Sequence, residues 1–206
     1  METIGSKMKN FILSLIIGTL FLGCTVKNSS LENSTNKAIK ELSDTSENIP
    51  HWLKDTNSLD ALGAIGSAYK TTGGSKFQQT EAMANGRDIL RDKIKRKVST
   101  VIEKLLEELL VDSEMKLSKV EILEIAEKIG THISLQSISG SKKRAVWFDK
   151  KENLYVMVTI DALIIKELTV TGTRVLLSNY RDLYTLFKRE KGREILIGIL
   201  DKEIYN

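Results

Sequence analysis

The chain has 206 residues and a formal net charge of +4 at pH 7, with 41% hydrophobic and 28% charged residues. This composition is ordinary for a globular domain, and so mild a charge by itself indicates neither a nucleic acid nor an anionic membrane as partner. The single cysteine excludes an intramolecular disulfide, and the two histidines, His51 and His132, are too few for a zinc or copper centre. We therefore expect neither a metal nor a cofactor.

The N-terminal segment has the pattern of a secretory signal peptide. Lys9 precedes an apolar run at residues 11–22, which is shorter than the roughly 20 residues that a membrane-spanning helix needs. The run ends in LFLGC, whose last residue, Cys24, is the only cysteine of the chain. This ending resembles a bacterial lipobox, with Phe21 where the common lipobox has Leu, Val or Ile. The resemblance implies that residues 1–23 are removed and that Cys24 carries fatty acyl chains such as palmitate, which anchor the protein in a membrane.

The next tract, residues 25–48, is rich in Ser, Asn, Thr, Lys and Glu and poor in large apolar residues. Such a tract buries too little apolar surface to order itself, so we predict a flexible, lipid-anchored tether over residues 24–48. A flexible chain of this length spans roughly 25–30 Å. The tether would hold a single folded domain, residues 49–206, just off the membrane.

A strand and a long helix are predicted at the start of this domain. Small and apolar residues predict a strand at residues 64–70, and the glycine pair of TTGGSK predicts a loop after it. From about residue 78, apolar residues recur every three or four positions, which predicts an amphipathic helix of about 45 Å. Its buried stripe is predicted to consist of Leu90, Ile94, Val98, Val101, Ile102, Leu105, Leu106 and Leu109.

A second helix and then strands are predicted after the long helix. The helix covers residues 119–128, with a capping box of Ser118 and Glu121 at its start and Gly130 as its stop. The stretches HISLQSIS, KKRAVWFD and LYVMVTID carry alternating, β-branched or aromatic residues. They predict a three-stranded antiparallel meander, with KKEN as a hairpin turn.

The C-terminal part, residues 162–206, is predicted to be a mostly helical extension. YRDLYTLFKRE and REILIGILDKEI predict two helices, whereas the stretch before them mixes both periods and receives no assignment. The first of these helices carries an apolar face that could dock into a groove of a partner or pack on its own domain. The residues of this candidate partner contact are Tyr180, Leu183, Tyr184 and Phe187. The whole pattern predicts an α+β fold in β-α-α-β-β order, with the two helices packed on a small antiparallel sheet.

No stretch of the chain carries a recognisable catalytic pattern. The glycines of GSAYKTTGGSK do not form a phosphate-binding loop, because Ser75 precedes Lys76 instead of following it. Residues 87–97 carry six basic residues against two acidic ones. They could contact nucleic acid, acidic lipid headgroups or peptidoglycan, but we interpret them as the solvated face of the long helix. We predict that the protein is not an enzyme and has no catalytic residues.

Several short pieces follow one another in an order that is familiar from a known family. After the lipobox they are PHWL at residues 50–53, AIGSA at residues 64–68, Ala82, Ala84 and Arg87 at the start of the long helix, Trp147, and LYVMV at residues 154–158. In this order they resemble the LPP-twenty family of small conserved bacterial lipoproteins, with residues 49–161 as the family-like part. The resemblance implies a compact α+β domain and no known catalysis. Some relatives are structural parts around the flagellar motor, and others are surface-exposed antigens.

We therefore expect a lipid-anchored bacterial cell-envelope lipoprotein with a structural or assembly role. The resemblance implies an association with envelope machinery such as the flagellar motor surround, through contacts with envelope proteins or copies of itself and not with nucleic acid. The alternative is an outward-facing binding module, such as an adhesin, a surface antigen or a small-ligand carrier. Thr25 and Val26 lack the aspartate that retains many bacterial lipoproteins at the inner membrane, so the outer membrane is the expected location.

Overall fold

The computed structural model describes four segments of the chain, which are residues 28–43, 49–55, 61–111 and 113–204. Within them the order of elements is α1 (Asn28–Ser43), β1 (Ala61–Ala68), α2 (Gly74–Leu110), α3 (Lys119–Ser137), β2 (Lys142–Phe148), β3 (Leu154–Asp161), α4 (Ala162–Leu177), α5 (Arg181–Arg189) and α6 (Gly192–Glu203). The predicted α+β class, the β-α-α-β-β order and the helical C-terminal extension are confirmed.

The sheet has three antiparallel strands in the order β1-β3-β2. The central strand β3 pairs with both neighbours, so that Val156 lies opposite Gly66 on one side and Val146 on the other. β1 covers Ala61–Ala68, three residues earlier at its start than the predicted strand. The predicted KKEN turn is confirmed, since β2 and β3 form a hairpin around it.

The predicted strand HISLQSIS is wrong, and so is the predicted stop of the second helix at Gly130. α3 continues to Ser137 because Ile133 and Ser137, four residues apart, extend its buried face. Gly130 does not end α3: a Cβ atom on it would lie 2.2 Å from Oγ of Ser99 on α2. The glycine therefore lets two long helices pack closely. The capping box of Ser118 is confirmed at the start of α3.

The long helix α2 is the central element of the core. It has 37 residues and is therefore about 55 Å long. It contacts β1, β3, α3 and α6. Every residue of the predicted stripe is buried, which confirms the periodicity: Leu90, Ile94, Val98, Val101, Ile102, Leu105, Leu106 and Leu109.

The contact between β1 and α2 is close enough to need glycine on both sides. A Cβ atom on Gly66 would lie 1.9 Å from the carbonyl oxygen of Ala82 and 2.3 Å from the backbone nitrogen of Gly86. Two side chains of α2 also bind carbonyl oxygens of β1. Asn85 donates to Ser67 over 2.8 Å, and Lys93 donates to Gly63 over 3.1 Å. α2 therefore holds β1 by backbone packing and by hydrogen bonds.

The interpretation of residues 24–48 as a flexible tether needs correction. Residues 28–43 form the helix α1. A tract as polar as this one forms a stable helix only where it packs against another part of the protein. In the folded chain, α1 contacts both α2 and β1. Thr35 is only 4% exposed there, so the helix is ordered by tertiary contact rather than by its own apolar content.

The stretch that the sequence left unassigned is the helix α4. It begins directly after β3, where the carboxylate of Asp161 accepts a hydrogen bond from the backbone N–H of Leu163 over 2.8 Å. α5 and α6 follow where helices were predicted. α4 packs on α3, and α6 packs on α2. Ile165, Leu177 and Leu196 of these C-terminal helices are almost fully buried.

We expect Gly66→Ala to destabilise the protein strongly and Gly198→Ala to stabilise it slightly. The added methyl at Gly66 meets backbone atoms of α2, so the cost should lie at the upper end of the roughly 1–3 kcal/mol that overpacked cores show, or above it. Gly198 lies in α6 with no atom within 4 Å of a Cβ there, so alanine should contribute about 0.5–1 kcal/mol through helix propensity.

Urea denaturation of the two variants and the wild-type chain measures both free energies of unfolding. Equal effects of the two substitutions would contradict the close β1–α2 packing.

Candidate functional site

The predicted lipidation residue, Cys24, lies outside the described residues. The first described residue, Asn28, already belongs to α1 and follows Cys24 by four positions. In the part of the chain that the structure covers, no helix combines the length and the apolar character needed to cross a membrane. What the structure adds to the anchor prediction is the way in which α1 is held.

α1 is fixed to the domain by contacts at three levels along its length. Near its start, Glu32 forms an ion pair with Arg96 of α2, with a nitrogen–oxygen distance of 3.0 Å. In its middle, the hydroxyl of Thr35 lies 3.4 Å from the hydroxyl of Ser67 on β1. Further on, Ile39 packs against a small second core, which contains Leu53, Ile65, Tyr155 and the partly buried Trp52 and Trp147. α1 therefore crosses the face of the sheet that α2 leaves uncovered.

The predicted partner contact on α5 is turned towards the protein's own core. Leu183 is 3% exposed and Phe187 is 5% exposed, whereas Tyr180 and Tyr184 are half-buried against the same core. Phe187 also lies beside Gly192, where a Cβ atom would approach its ring to 2.3 Å. Leu183 and Phe187 therefore follow the second of the two alternatives given above, in which this face packs on its own domain. The apolar face was needed to close the domain.

The basic segment at residues 87–97 binds several neighbouring elements. Lys95 forms an ion pair with Glu127 of α3 over 2.7 Å, and this hydrogen bond lowers the pKa of the Glu127 carboxyl. Lys97 donates to the backbone oxygen of Glu203 over 2.8 Å. Lys93, already bonded to β1, has its pKa lowered first by burial and then by the nearby charge of Lys97. Much of the positive charge of α2 thus holds the protein together.

The two histidines lie on separate elements. His51 is exposed in a short 3₁₀ turn, and His132 is exposed on α3 rather than on the strand predicted for it. Among the described residues, no three side chains of His, Cys, Asp and Glu are grouped in a way that could hold a metal ion.

Two clefts open on the surface of the helical part. The first has a volume of about 460 Å³ and lies between the start of α3 and the start of α5. The second has about 480 Å³ and lies between the ends of α2 and α6. Both are open grooves lined by charged and apolar side chains together. The charged ones are Glu121, Glu124, Lys128, Arg181 and Asp182 in the first cleft and Lys104, Glu107, Glu108, Lys202 and Glu203 in the second. The apolar ones are Met115, Leu117, Ile125, Tyr180 and Leu183 in the first and Val111 and Ile199 in the second.

A third surface feature, which the sequence analysis missed, lies at one end of the sheet. Tyr69 is 78% exposed, Phe77 57% and Phe148 49%, and within the described segments no other aromatic side chain is classed as exposed. Ala68 and Phe148 both pair with Leu154, so the loop after β1 and the β2–β3 hairpin meet at this end. We call the exposed residues here the tip surface: Tyr69, Lys70, Lys76, Phe77, Phe148, Lys150 and Lys151.

The loops that carry the tip surface are tied together by hydrogen bonds. Gln78 is 5% exposed and donates to the carbonyl oxygens of Ala68 over 3.2 Å and Glu152 over 2.8 Å, which joins α2, β1 and the hairpin. The backbone N–H of Lys70 donates to the side-chain oxygen of Asn153 over 3.3 Å. Asp149 accepts from the backbone N–H groups of Lys151 and Asn153, each over 2.8 Å. The hairpin therefore holds a fixed shape.

Comparison with protein-family models and with curated proteins finds no match to the chain. The resemblance to the LPP-twenty family therefore stays a prediction, based on the short pieces quoted above.

We expect Thr35→Arg to release α1 from the domain and Asn36→Arg to leave it docked. Thr35 is buried where α1 faces β1, whereas Asn36 is exposed on the same helix. Both variants add the same charge, so they differ only in where the arginine is placed. Losing contacts worth about 1.4 kcal/mol should speed amide hydrogen exchange in α1 roughly tenfold.

Hydrogen exchange by mass spectrometry reports α1 and α2 separately. If α1 exchanged at the same rate in both variants, the docking of this helix would be wrong.

Proposed function

We propose that the protein is a lipid-anchored bacterial cell-envelope lipoprotein, non-catalytic, with a structural or assembly role. The observation that carries the proposal is the position of the only cysteine. Cys24 ends an apolar run too short to span a bilayer, in a lipobox-like sequence, four residues before a helix that packs on the domain. An acylated Cys24 would give lasting attachment, since several lipid chains act together. By the sorting rule given above, the outer membrane is the proposed location.

The docking of α1 sets how far such an anchor would let the domain stand from the membrane. Four residues reach at most about 14 Å when fully extended, whereas a free tether of residues 24–48 would average roughly 25–30 Å. With α1 docked, the anchor would hold the domain against the bilayer surface. A domain held in this way is suited to packing against fixed neighbours in the envelope.

Packing against protein neighbours is proposed as the mode of action because apolar side chains remain exposed on the outer helices. On α4, Leu163 is 53% exposed and Val175 is 59% exposed. The resemblance to the LPP-twenty family implies neighbours in envelope machinery such as the flagellar motor surround, or copies of the same chain. The small-ligand carrier is the weaker alternative, because both clefts described above are open, unlike the enclosed chamber that such a carrier needs.

We expect metabolic labelling with a radioactive or clickable fatty acid to mark the wild-type chain and not Cys24→Ser. The acyl chains of a lipobox modification belong to a diacylglyceryl group that is joined to the cysteine sulfur through a thioether, and a serine hydroxyl is a much weaker nucleophile for that bond than a thiolate. Labelling is measured on the immunoprecipitated protein, and membrane fractionation of the same cells gives the location. Equal labelling of the two chains would rule out Cys24 as the lipid attachment site.

We expect a photo-cross-linking amino acid at Leu163 or Val175 to capture envelope proteins, or a second copy of the chain, in intact cells. The matched control is the same chain with Cys24→Ser, which should lose these adducts because it is no longer held beside its neighbours. Mass spectrometry identifies the products. Capture of small molecules alone, together with normal envelope architecture and motility in a deletion strain, would favour the binding module instead.

A further inference from the structure

We propose that the tip surface binds the anionic lipid headgroups of a membrane surface, with its aromatic rings entering the interface. This is a second membrane contact, separate from the lipid chains proposed on Cys24. It relies on the proposed function only for the presence of a membrane close to the domain. The contact would fix the orientation of the domain on the bilayer as well as its distance.

The tip surface carries three exposed aromatic side chains. Tyr69, Phe77 and Phe148 expose between 49% and 78% of their surface to water, although the chain packs its other described aromatic residues at least partly. They occupy a loop, the first turn of α2 and the end of β2. The register of the sheet brings the ends of β1 and β2 to one end of the sheet, and the hydrogen bonds of Gln78 join the start of α2 to the same end. Exposed aromatic side chains are suited to entering a membrane–water interface.

The tip surface also carries positively charged side chains. Lys76, Lys150 and Lys151 are exposed, and within the described chain none of their ammonium groups forms an ion pair. The same loops hold two acids: Glu152 forms an ion pair with Lys70, and Asp149 accepts hydrogen bonds from the hairpin backbone. The four lysines of the tip surface outnumber these two acids, so net positive charge remains beside the aromatic rings. Anionic headgroups are the complementary ligand, since basic residues near such a surface each add to the attraction.

The loops of the tip surface are held in place by hydrogen bonds. The buried side chain of Gln78 bonds to β1 and to the hairpin, and Asp149 holds the hairpin turn. Binding therefore needs little ordering of the loops, which lowers its entropic cost. Neither of the two clefts described above is lined by a tip residue. A rigid surface outside these clefts suits a broad bilayer better than a peptide segment.

The experiment places a fluorescent reporter on the tip. The chain has a single cysteine, so Cys24→Ser combined with Tyr69→Cys gives one thiol for an environment-sensitive dye. The control combines Cys24→Ser with Val120→Cys, a position that is 64% exposed at the start of α3, beyond the opposite end of α2. The full chain is mixed with vesicles of phosphatidylcholine, with or without phosphatidylglycerol. Its apolar N-terminal run is common to all variants, so the dye reports which part of the domain touches lipid.

We expect a blue shift of the tip dye with phosphatidylglycerol vesicles, little shift with phosphatidylcholine alone, and none for the Val120→Cys dye. The double variant Lys150→Glu, Lys151→Glu should weaken the tip contact roughly thirtyfold or more. The pair Lys116→Glu, Lys128→Glu changes the net charge equally at positions outside the tip and should leave the contact unchanged. About 1 M salt should remove the shift through screening.

Three results would overturn the proposal. In the first, the emission of the tip dye does not shift with either kind of vesicle. In the second, it shifts no more than that of the control dye. In the third, it does not shift with lipid but does shift when polyglutamate is added, which would assign the tip to an acidic protein. Because every chain in this experiment carries Cys24→Ser, none of these results affects the lipid-anchor proposal, which rests on fatty acid labelling.

Discussion

The close approach of α2 to β1 is the contact on which the rest of the fold depends. Gly66 and Gly86 lack the Cβ atoms that would force the helix away from the strand. At this separation the stripe of α2 reaches the sheet, where Val156 and Val158 are fully buried. Since burial of apolar area is the main favourable term in folding, this contact converts a periodic sequence into a core.

The other elements are arranged around α2, and each is joined to it by a different kind of interaction. α3 packs closely on α2 because Gly130 has no Cβ atom that would clash with the side chain of Ser99. α6 is tied by Lys97, which donates to the backbone of Glu203, and by the ion pair of Lys104 with the same residue's carboxylate. α1 is joined mainly by polar groups. A helix held in this way is less stable than the core and is the first element that should open.

This arrangement connects the fold to the proposed function at two points. α1 follows the proposed anchor residue, Cys24, along the chain and packs on the sheet, so its docking would decide whether the domain lies close to a membrane or moves on a longer tether. The tip surface lies at the end of the sheet where α2 begins, and the loops beside its exposed rings are held by the hydrogen bonds of Gln78. Both features concern how the domain is placed, which is the task of a structural envelope protein as proposed here.

The sequence by itself determined the helical periodicity, and with it most of the core. The stripe of α2, the capping box of Ser118, the β2–β3 hairpin and the helices α5 and α6 follow from local spacing, turn chemistry and residue type. These signals are local because a period of 3.6 residues, or a cap three residues away, is visible within a short window. The proposed lipid anchor also comes from sequence alone, since Cys24 lies outside the described residues.

Only the tertiary structure decided which surfaces remain free and which polar segments become ordered. Leu183 and Phe187 form an apolar face in the sequence, but whether it covers the core or a partner depends on elements far away along the chain. Gly130 has the sequence pattern of a helix stop, but in the folded protein it is needed inside α3 because Ser99 of α2 lies against it. α1 is too polar to order itself, and Thr35 is buried only because β1 lies there. The tip surface arises because sheet register and the hydrogen bonds of Gln78 bring Tyr69, Phe77 and Phe148 to one end of the sheet, which are non-local contacts that no window of the sequence contains.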